Sequence, residues 1–113
     1  MLNREIEEEI RTFVHERNWE QFHTPKDLAI SISLEANELL EKFQWSGKET
    51  DVPAKRDGMK EELADVFIYC FMMADAIGVD PRSIIQEKLE QNRKKYPVSL
   101  SYGNSLKYTE LKG

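Results

Sequence analysis

The spacing of apolar residues along the chain predicts helices and no strand. In the first segment, about residues 3–18, apolar side chains recur at three- and four-residue intervals, which is typical of an amphipathic helix. These residues are Leu2, Ile6, Ile10, Phe13 and Val14. Further helices are predicted at about 25–43, from 53 or 57 to 77, and at 81–96. We therefore expect an all-α fold, a compact four-helix-type bundle of antiparallel helices.

Capping residues sharpen these boundaries. Thr24-Pro25 and Asp80-Pro81 each place a capping side chain before a proline, which is tolerated at the first helical position. Gly78 suits the end of the third helix, and Pro97 ends the fourth. Residues 97–113 show no period. They are predicted to be an irregular tail that packs on the bundle or on a neighbouring subunit.

Composition narrows the classes of protein that this chain fits. Its 113 residues suit a single domain spanning 1–113, and 21 acidic against 16 basic residues give a formal charge of −5. That charge argues against binding to a nucleic acid polymer, which draws on clustered Lys and Arg. With the lone Cys70 no disulfide framework is expected, and no apolar run suits a signal peptide or a membrane span. We expect a cytoplasmic protein without a membrane partner.

One acidic residue, Asp65, interrupts the apolar stretch of the predicted third helix. Residues 63–74 are apolar except for Asp65 and the phenol of Tyr69. An ionised carboxylate buried there would cost several kcal/mol unless it were paired, protonated or bound to a cation. Glu62 lies one turn before Asp65, so both carboxylates share one face of the helix, with Tyr69 just beyond.

The predicted second helix carries a similar pair. Glu35 lies at the edge of its apolar arc and Glu38 one turn further on. Such a cluster of like charges is stable when a hard divalent cation lies among them, and all-oxygen ligands favour Mg²⁺, or Mn²⁺, over zinc. A di-iron bundle would need two inward Glu-x-x-His pairs, and the one match, Glu20 with His23, lies between helices.

Aromatic and basic residues near these helices suggest a ligand. Trp19, Phe22 and His23 precede the second helix and Trp45 follows it. Either tryptophan alone fits a core position, but beside a metal that binds phosphates these rings would suit a nucleotide base. The basic end of the fourth helix, at 92–96, fits a favourable last turn or a phosphate contact.

Three segments together resemble a known family. Residues 13–45, residues 62–69 with the sequence ELADVFIY, and the end at 92–97 and 107–111 are similar to the MazG-like, all-α nucleoside triphosphate pyrophosphohydrolases, above all to their dCTP pyrophosphatase branch. The resemblance covers nearly the whole chain. It implies the metal ligands Glu35, Glu38, Glu62 and Asp65. It also implies the substrate-binding residues Trp19, Glu20, Gln21, Phe22, His23, Trp45 and Tyr69. Asn92 and Lys95, at the polar and basic end of the fourth helix, are further candidates for substrate binding.

The resemblance further implies a reaction and an assembly. The reaction is Mg²⁺-dependent hydrolysis of dCTP or a related (d)NTP between the α- and β-phosphates, in nucleotide-pool housecleaning by a homodimer or homotetramer. Glu38 and Glu35 are the candidate catalytic carboxylates, and Glu38, furthest from the apolar arc, is the expected base. The branch has a histidine where this chain has Ile10, which leaves the base preference open.

Two other hypotheses fit the same residues. The chain would alternatively be a non-catalytic helical interaction module whose acidic groove binds a metal or a basic partner helix. In a third hypothesis, the substrate is another phosphoanhydride or a nucleotide with a modified base, such as a methylated or damaged cytosine.

Overall fold

The chain is helical throughout the residues that the computed structural model describes, 2–111, and no strand occurs among them. The helices are α1 Arg4–Glu16, α2 Pro25–Glu41, α3 Arg56–Ala76, α4 Pro81–Lys95 and the single turn α5 Val98–Ser101. Short 3₁₀ turns lie at Glu20–Phe22, Pro53–Lys55 and Tyr108–Glu110. The predicted all-α class is confirmed. The last two residues of the predicted tail lie outside the described range.

Side-chain hydrogen bonds cap the N-termini of the two helices whose starts are predicted from Thr24-Pro25 and Asp80-Pro81. Thr24 Oγ1 accepts a hydrogen bond from the Asp27 amide at 3.1 Å, and Pro25 opens α2. Asp80 Oδ1 likewise accepts from Arg82 N before α4. Each bond satisfies one of the amides that a helix start leaves without a partner. None of the helices within residues 2–111 combines the length and hydrophobicity needed to cross a membrane.

Helix α2 ends slightly earlier than periodicity predicts. Its last residue is Glu41, and residues 42–45 form turns in place of the final predicted helical residues. Trp45 adopts φ of +69°, a left-handed conformation that a bulky side chain rarely takes and that cannot continue a helix. Gly78, with φ of +73°, ends α3 as predicted.

The chain divides into two units, and the first spans residues 2–79. Both α1 and α2 pack on α3. Their shared core is small and centres on Leu28 and Phe71, whose exposed fractions are 2% and 1%. Its buried apolar members are Ile10, Val14, Leu28, Phe71 and Met72. The helix that carries Glu62 and Asp65 is therefore held from two sides.

Helices α2 and α3 run antiparallel. Glu35, early in the second half of α2, meets Glu62 and Asp65, whereas Lys42, just past its end, lies against Gly58 near the start of α3. As the chain advances along α2, its contacts therefore move backwards along α3. This arrangement places the two predicted carboxylate pairs side by side.

The second unit comprises the described residues from 80 to 111. Within it the tail returns to the end of α4. The ring of Tyr108 packs edge-on against Tyr96 at 6.3 Å, and the Lys95 ammonium lies 4.8 Å from the centre of the Tyr108 ring. The predicted irregular tail thus contains ordered aromatic contacts and the short helix α5, which periodicity did not predict.

Candidate metal centre and adjoining cavity

Three carboxylates from α2 and α3 converge in the first unit. One oxygen from each of Glu35, Glu62 and Asp65 lies within 4.8 Å of the other two. We call these three residues the acidic cluster. Glu62 and Asp65 share a face of α3 because they are one turn apart, and the antiparallel packing of α2 brings Glu35 to them.

The degree of burial differs across the acidic cluster. Glu35 and Glu62 are half-buried, whereas Asp65 is exposed. The sequence-based expectation that Asp65 is buried among apolar residues is therefore wrong. Its apolar neighbours Leu63 and Phe67 are themselves 42% and 39% exposed, because the buried residues of α3 all lie in the second half of the helix. These buried residues are Phe71, Met72 and Ala74.

Two oxygens of the cluster lack the partners that buried polar atoms normally have. Oε2 of Glu35 and Oε2 of Glu62 are buried and accept no hydrogen bond from any described residue. A buried polar atom without a partner is costly, and the cost grows when the atom carries charge. A divalent cation among these oxygens would supply the missing interaction, so the donor set fits a hard metal ion.

Glu38, the fourth predicted ligand, joins the cluster through Glu62. A hydrogen-bonding contact with Glu38 raises the pKa of the Glu62 carboxyl, and burial and the negative charges of Glu38 and Asp65 raise it further. The Lys42 ammonium opposes this shift. The crowding of carboxylates thus makes the ionised form of Glu62 less favourable than that of an isolated glutamate, and a cation among them would relieve this.

A cavity of about 510 Å³ adjoins α3 in the same unit. Two residues predicted to bind substrate, Glu20 and His23, line it, as does Ile10, the position of the branch histidine. Sequence analysis missed three other polar lining residues, Arg11, His15 and Asp75. Arg11 and His15 lie one turn apart on α1, a spacing that in so charged a helix resembles an ordinary solvated face.

The charged groups of this cavity are paired with one another. Arg11 donates to both carboxylate oxygens of Asp75, from Nε at 3.1 and 3.2 Å and from Nη2 at 3.0 Å. His15 Nδ1 lies 2.8 Å from Glu20 Oε2, which raises the pKa of His15 and lowers that of Glu20. The cavity is thus polar, and its charges are compensated within the protein.

The cavity and the acidic cluster lie on one face of α3. Met72, which lines the cavity, follows Asp65 by two turns, so it shares that face and lies about 10 Å further along the helix. Tyr69, half-buried against the core, lies between them.

The predicted aromatic residues are mostly exposed. Trp45 is 91% exposed, which excludes the core position considered for it, and Phe22 is also exposed. Trp19 is less so, because it packs edge-on against Phe13 at 5.6 Å. Gln21 is exposed and donates to the Asn18 carbonyl.

Asn92 and Lys95 belong to the second unit. Asn92 is half-buried, and its carbonyl accepts a hydrogen bond from the Tyr96 amide at 2.8 Å. Lys95 contacts Tyr108 as described above. Their assignment to substrate binding stays a prediction, as do the assignments of the exposed aromatic residues.

Comparison with known proteins identifies the family. The chain belongs to the MazG-like family, whose model matches residues 30–111 and therefore includes every member of the acidic cluster.

Individual relatives agree with this assignment. The chain is 44% identical over 105 residues to dCTP pyrophosphatase 1 of Rattus norvegicus and 40% identical over 104 residues to that of Homo sapiens. Each match covers 88% of this chain and 61% of the relative, so the chain spans about three fifths of the length of these relatives. It is also similar to a pyrophosphatase structure from Archaeoglobus fulgidus, with a TM-score of 0.74, 41% identity, and coverage of 86% of this chain and 96% of that one.

Proposed function

We propose that this chain is a Mg²⁺-dependent nucleoside triphosphate pyrophosphohydrolase. It cleaves dCTP or a related dNTP between the α- and β-phosphates, releasing the monophosphate and pyrophosphate, as an enzyme of the cytoplasmic nucleotide pool. The names of the relatives, dCTP pyrophosphatase 1 and pyrophosphatase, support the reaction class and the cytosine base.

The observation that carries the proposal is the acidic cluster with its two partnerless buried oxygens. Glu35, Glu62 and Asp65 would hold the metal, with Glu38 completing the set through its contact with Glu62. A bound Mg²⁺ would neutralise phosphate charge and lower the pKa of an attacking water. The protein would therefore supply a negatively charged binding site in which a cation relieves the repulsion among the carboxylates.

Glu38 is the residue that we assign as the general base. It is exposed on α2, one turn beyond Glu35, where a water approaching the phosphates from solvent would meet it. Its carboxylate would accept the proton of that water as the new P–O bond forms and the bond to the bridging oxygen breaks. Glu35, half-buried, would serve mainly to hold the metal.

The cavity beside α3 would receive the base and sugar. Its separation of about 10 Å from Asp65 along the helix suits a nucleotide that extends from a base to its phosphates. Glu20 and His23 would face the base with hydrogen-bonding groups, and the paired charges of the cavity suit an uncharged ring. Trp19, Gln21, Phe22, Trp45, Tyr69, Asn92 and Lys95 remain candidate contacts.

The exposed apolar residues of α2 and α3 support a homo-oligomer. Ile30 and Leu34 lie one turn apart on α2, as do Leu63 and Phe67 on α3, and all four are exposed. Such rows of apolar side chains are typical of surfaces that another protein covers. We propose that a second copy of the chain covers them, in a dimer or tetramer.

The test is to incubate the purified protein with each common dNTP and NTP, with Mg²⁺, with Mn²⁺ and with EDTA, and to separate the products. Monophosphate and pyrophosphate that disappear with EDTA are expected, fastest with dCTP. Diphosphate and orthophosphate would contradict the α–β cleavage. Metal binding without turnover of any nucleotide would favour the interaction module, and turnover of a methylated cytosine nucleotide alone would redirect the proposal to modified substrates.

A further inference from the structure

Lys42 lies across the start of α3 in a gap that Gly58 leaves open. A Cβ atom at position 58 would lie only 3.0 Å from Lys42 Cε and 3.1 Å from its Nζ. These distances are shorter than ordinary carbon contacts. The side chain of Lys42 therefore occupies the space that any larger residue at position 58 would need.

Gly58 has no other evident reason to be glycine. It is the third residue of α3, where its backbone is not in the left-handed region and where glycine is less favourable than alanine. A lysine placed after α2 only to complement the helix dipole would not need this gap, since it could extend into solvent. The gap instead fixes the direction of the Lys42 side chain.

That direction leads to the acidic cluster. Lys42 Nζ lies 3.9 Å from Glu62 Oε1, and the two side chains are 30% and 16% exposed. The separation is longer than a hydrogen bond, so the ammonium is held at the margin of the cluster with its donors not committed to Glu62. A half-buried cation with uncommitted donors is suited to an anionic ligand.

The order of sites along α3 indicates which part of the ligand it meets. Gly58, with Lys42 above it, comes one turn before Glu62; the acidic cluster follows, and the cavity lined by Met72 lies two turns beyond. A nucleotide with its base in the cavity and its first phosphate at the cluster would extend its terminal phosphates towards Lys42.

We propose that Lys42 binds the pyrophosphate portion of the substrate, with Gly58 as the residue that positions it. This inference rests on the proposed function, because it takes the direction of the substrate from it. Lys42 would donate to the oxygens of the β- and γ-phosphates and hold the pyrophosphate after cleavage. Its effect should therefore appear in the affinity for pyrophosphate more than in that for the monophosphate.

The experiment is calorimetric titration of inorganic pyrophosphate, with Mg²⁺ present, into the full chain and its variants. We expect Lys42→Met to weaken pyrophosphate binding by about tenfold or more, since a charge-assisted hydrogen bond is lost, while dCMP binding stays within about twofold. Lys42→Arg should retain most of the affinity. Lys60→Met, which removes an exposed lysine of α3, is the matched control and should change neither affinity.

Gly58→Ala provides a second and independent test. The added methyl requires the end of the Lys42 side chain to shift by a few tenths of an ångström, so this variant should lose part of the pyrophosphate affinity, less than Lys42→Met loses. In the Lys42→Met background the same change should cost no further affinity, because the side chain that it displaces is absent. Circular dichroism and thermal unfolding of each variant would show that the fold is retained.

Several outcomes would overturn the proposal. These are wild-type protein that does not bind pyrophosphate, unchanged binding in Lys42→Met, or an equal loss in Lys60→Met. Tighter Mg²⁺ binding in Lys42→Met with pyrophosphate binding unchanged would show instead that Lys42 only balances the charge of the cluster. Wild-type protein that binds pyrophosphate through Lys42 and hydrolyses no nucleotide would refute the proposed function and retain this inference.

Discussion

The two ends of one face of α3 are built on opposite electrostatic principles. At the acidic cluster, carboxylates crowd together and two buried oxygens have no hydrogen-bond partner among the described residues. At the cavity two turns on, Arg11 pairs with Asp75 and His15 with Glu20. One end therefore carries negative charge that Lys42 offsets only in part, and the charged groups of the other end are paired with one another.

This difference indicates a division of labour. Repulsion among the carboxylates of the acidic cluster destabilises the metal-free protein, and a bound cation removes that repulsion. The metal site at the acidic end therefore lowers the free energy of unfolding of the metal-free protein. Pairs that are already satisfied hold the shape of the cavity and add little net charge to it. Substitutions at the acidic end should consequently lower turnover without lowering stability, whereas substitutions at the cavity end should lower stability and leave kcat unchanged.

The largest effect is expected from neutralising the acidic end. Glu62→Gln, Asp65→Asn and Glu38→Gln should each lower kcat by about a thousandfold, because a bound metal contributes several kcal/mol to charge stabilisation and 1.36 kcal/mol corresponds to a factor of ten. The metal-free variants should be at least as stable as the wild type, since repulsion is relieved. Glu61→Gln, an exposed neighbour on α3, is the control. Retained Mg²⁺-dependent turnover in Asp65→Asn would count against the metal site.

Metal addition should stabilise the wild type. Mg²⁺ at about 100 times its dissociation constant should raise the free energy of unfolding by about 2.7 kcal/mol, and EDTA should reverse the change. Thermal unfolding with and without Mg²⁺ measures this. The Asp65→Asn protein should respond less, whereas the Arg11→Met protein, altered at the cavity end, should respond like the wild type.

The pH dependence of the metal-free protein should carry the signature of Glu62. Its pKa in the folded state lies above the ordinary value of 4.5, so the folded state binds this proton more tightly than the unfolded state does. The resulting stabilisation is complete below about 4.5 and is lost as the pH rises through the raised pKa. Unfolding measured in EDTA across the acidic and neutral range should show this loss in the wild type. A Glu62→Gln protein with the same pH profile would contradict it.

The smallest effect is expected at the cavity end. Arg11→Met removes a bidentate pair between half-exposed side chains, so the free energy of unfolding should fall by about 0.2–1 kcal/mol. In contrast to the acidic variants, this variant should lose stability and keep its kcat. An effect on catalysis should appear only in KM. Chemical denaturation and steady-state kinetics measure both. Arg4→Met on the same helix is the control, and a kcat loss as large as that of Asp65→Asn would break the distinction between the two ends.

The local features of this chain could be predicted from its sequence. The structure confirms the helix starts at Pro25 and Pro81, the helix end at Gly78 and the shared face of Glu62 and Asp65. Each of these features depends on residues that lie within one or two turns of each other. The resemblance to the MazG-like family also came from sequence, and the family match supports it.

Only the tertiary structure decided how these local pieces meet. Three contacts depend on the register in which α1 and α2 pack on α3. They are the approach of Glu35 to Glu62, the pairing of Arg11 with Asp75 across 64 residues of sequence, and the gap at Gly58 that Lys42 fills. The exposure of Asp65, which the apolar residues around it in sequence did not indicate, has the same origin. Helix register is set by the interdigitation of side chains that are distant in sequence, and periodicity within one helix does not specify it.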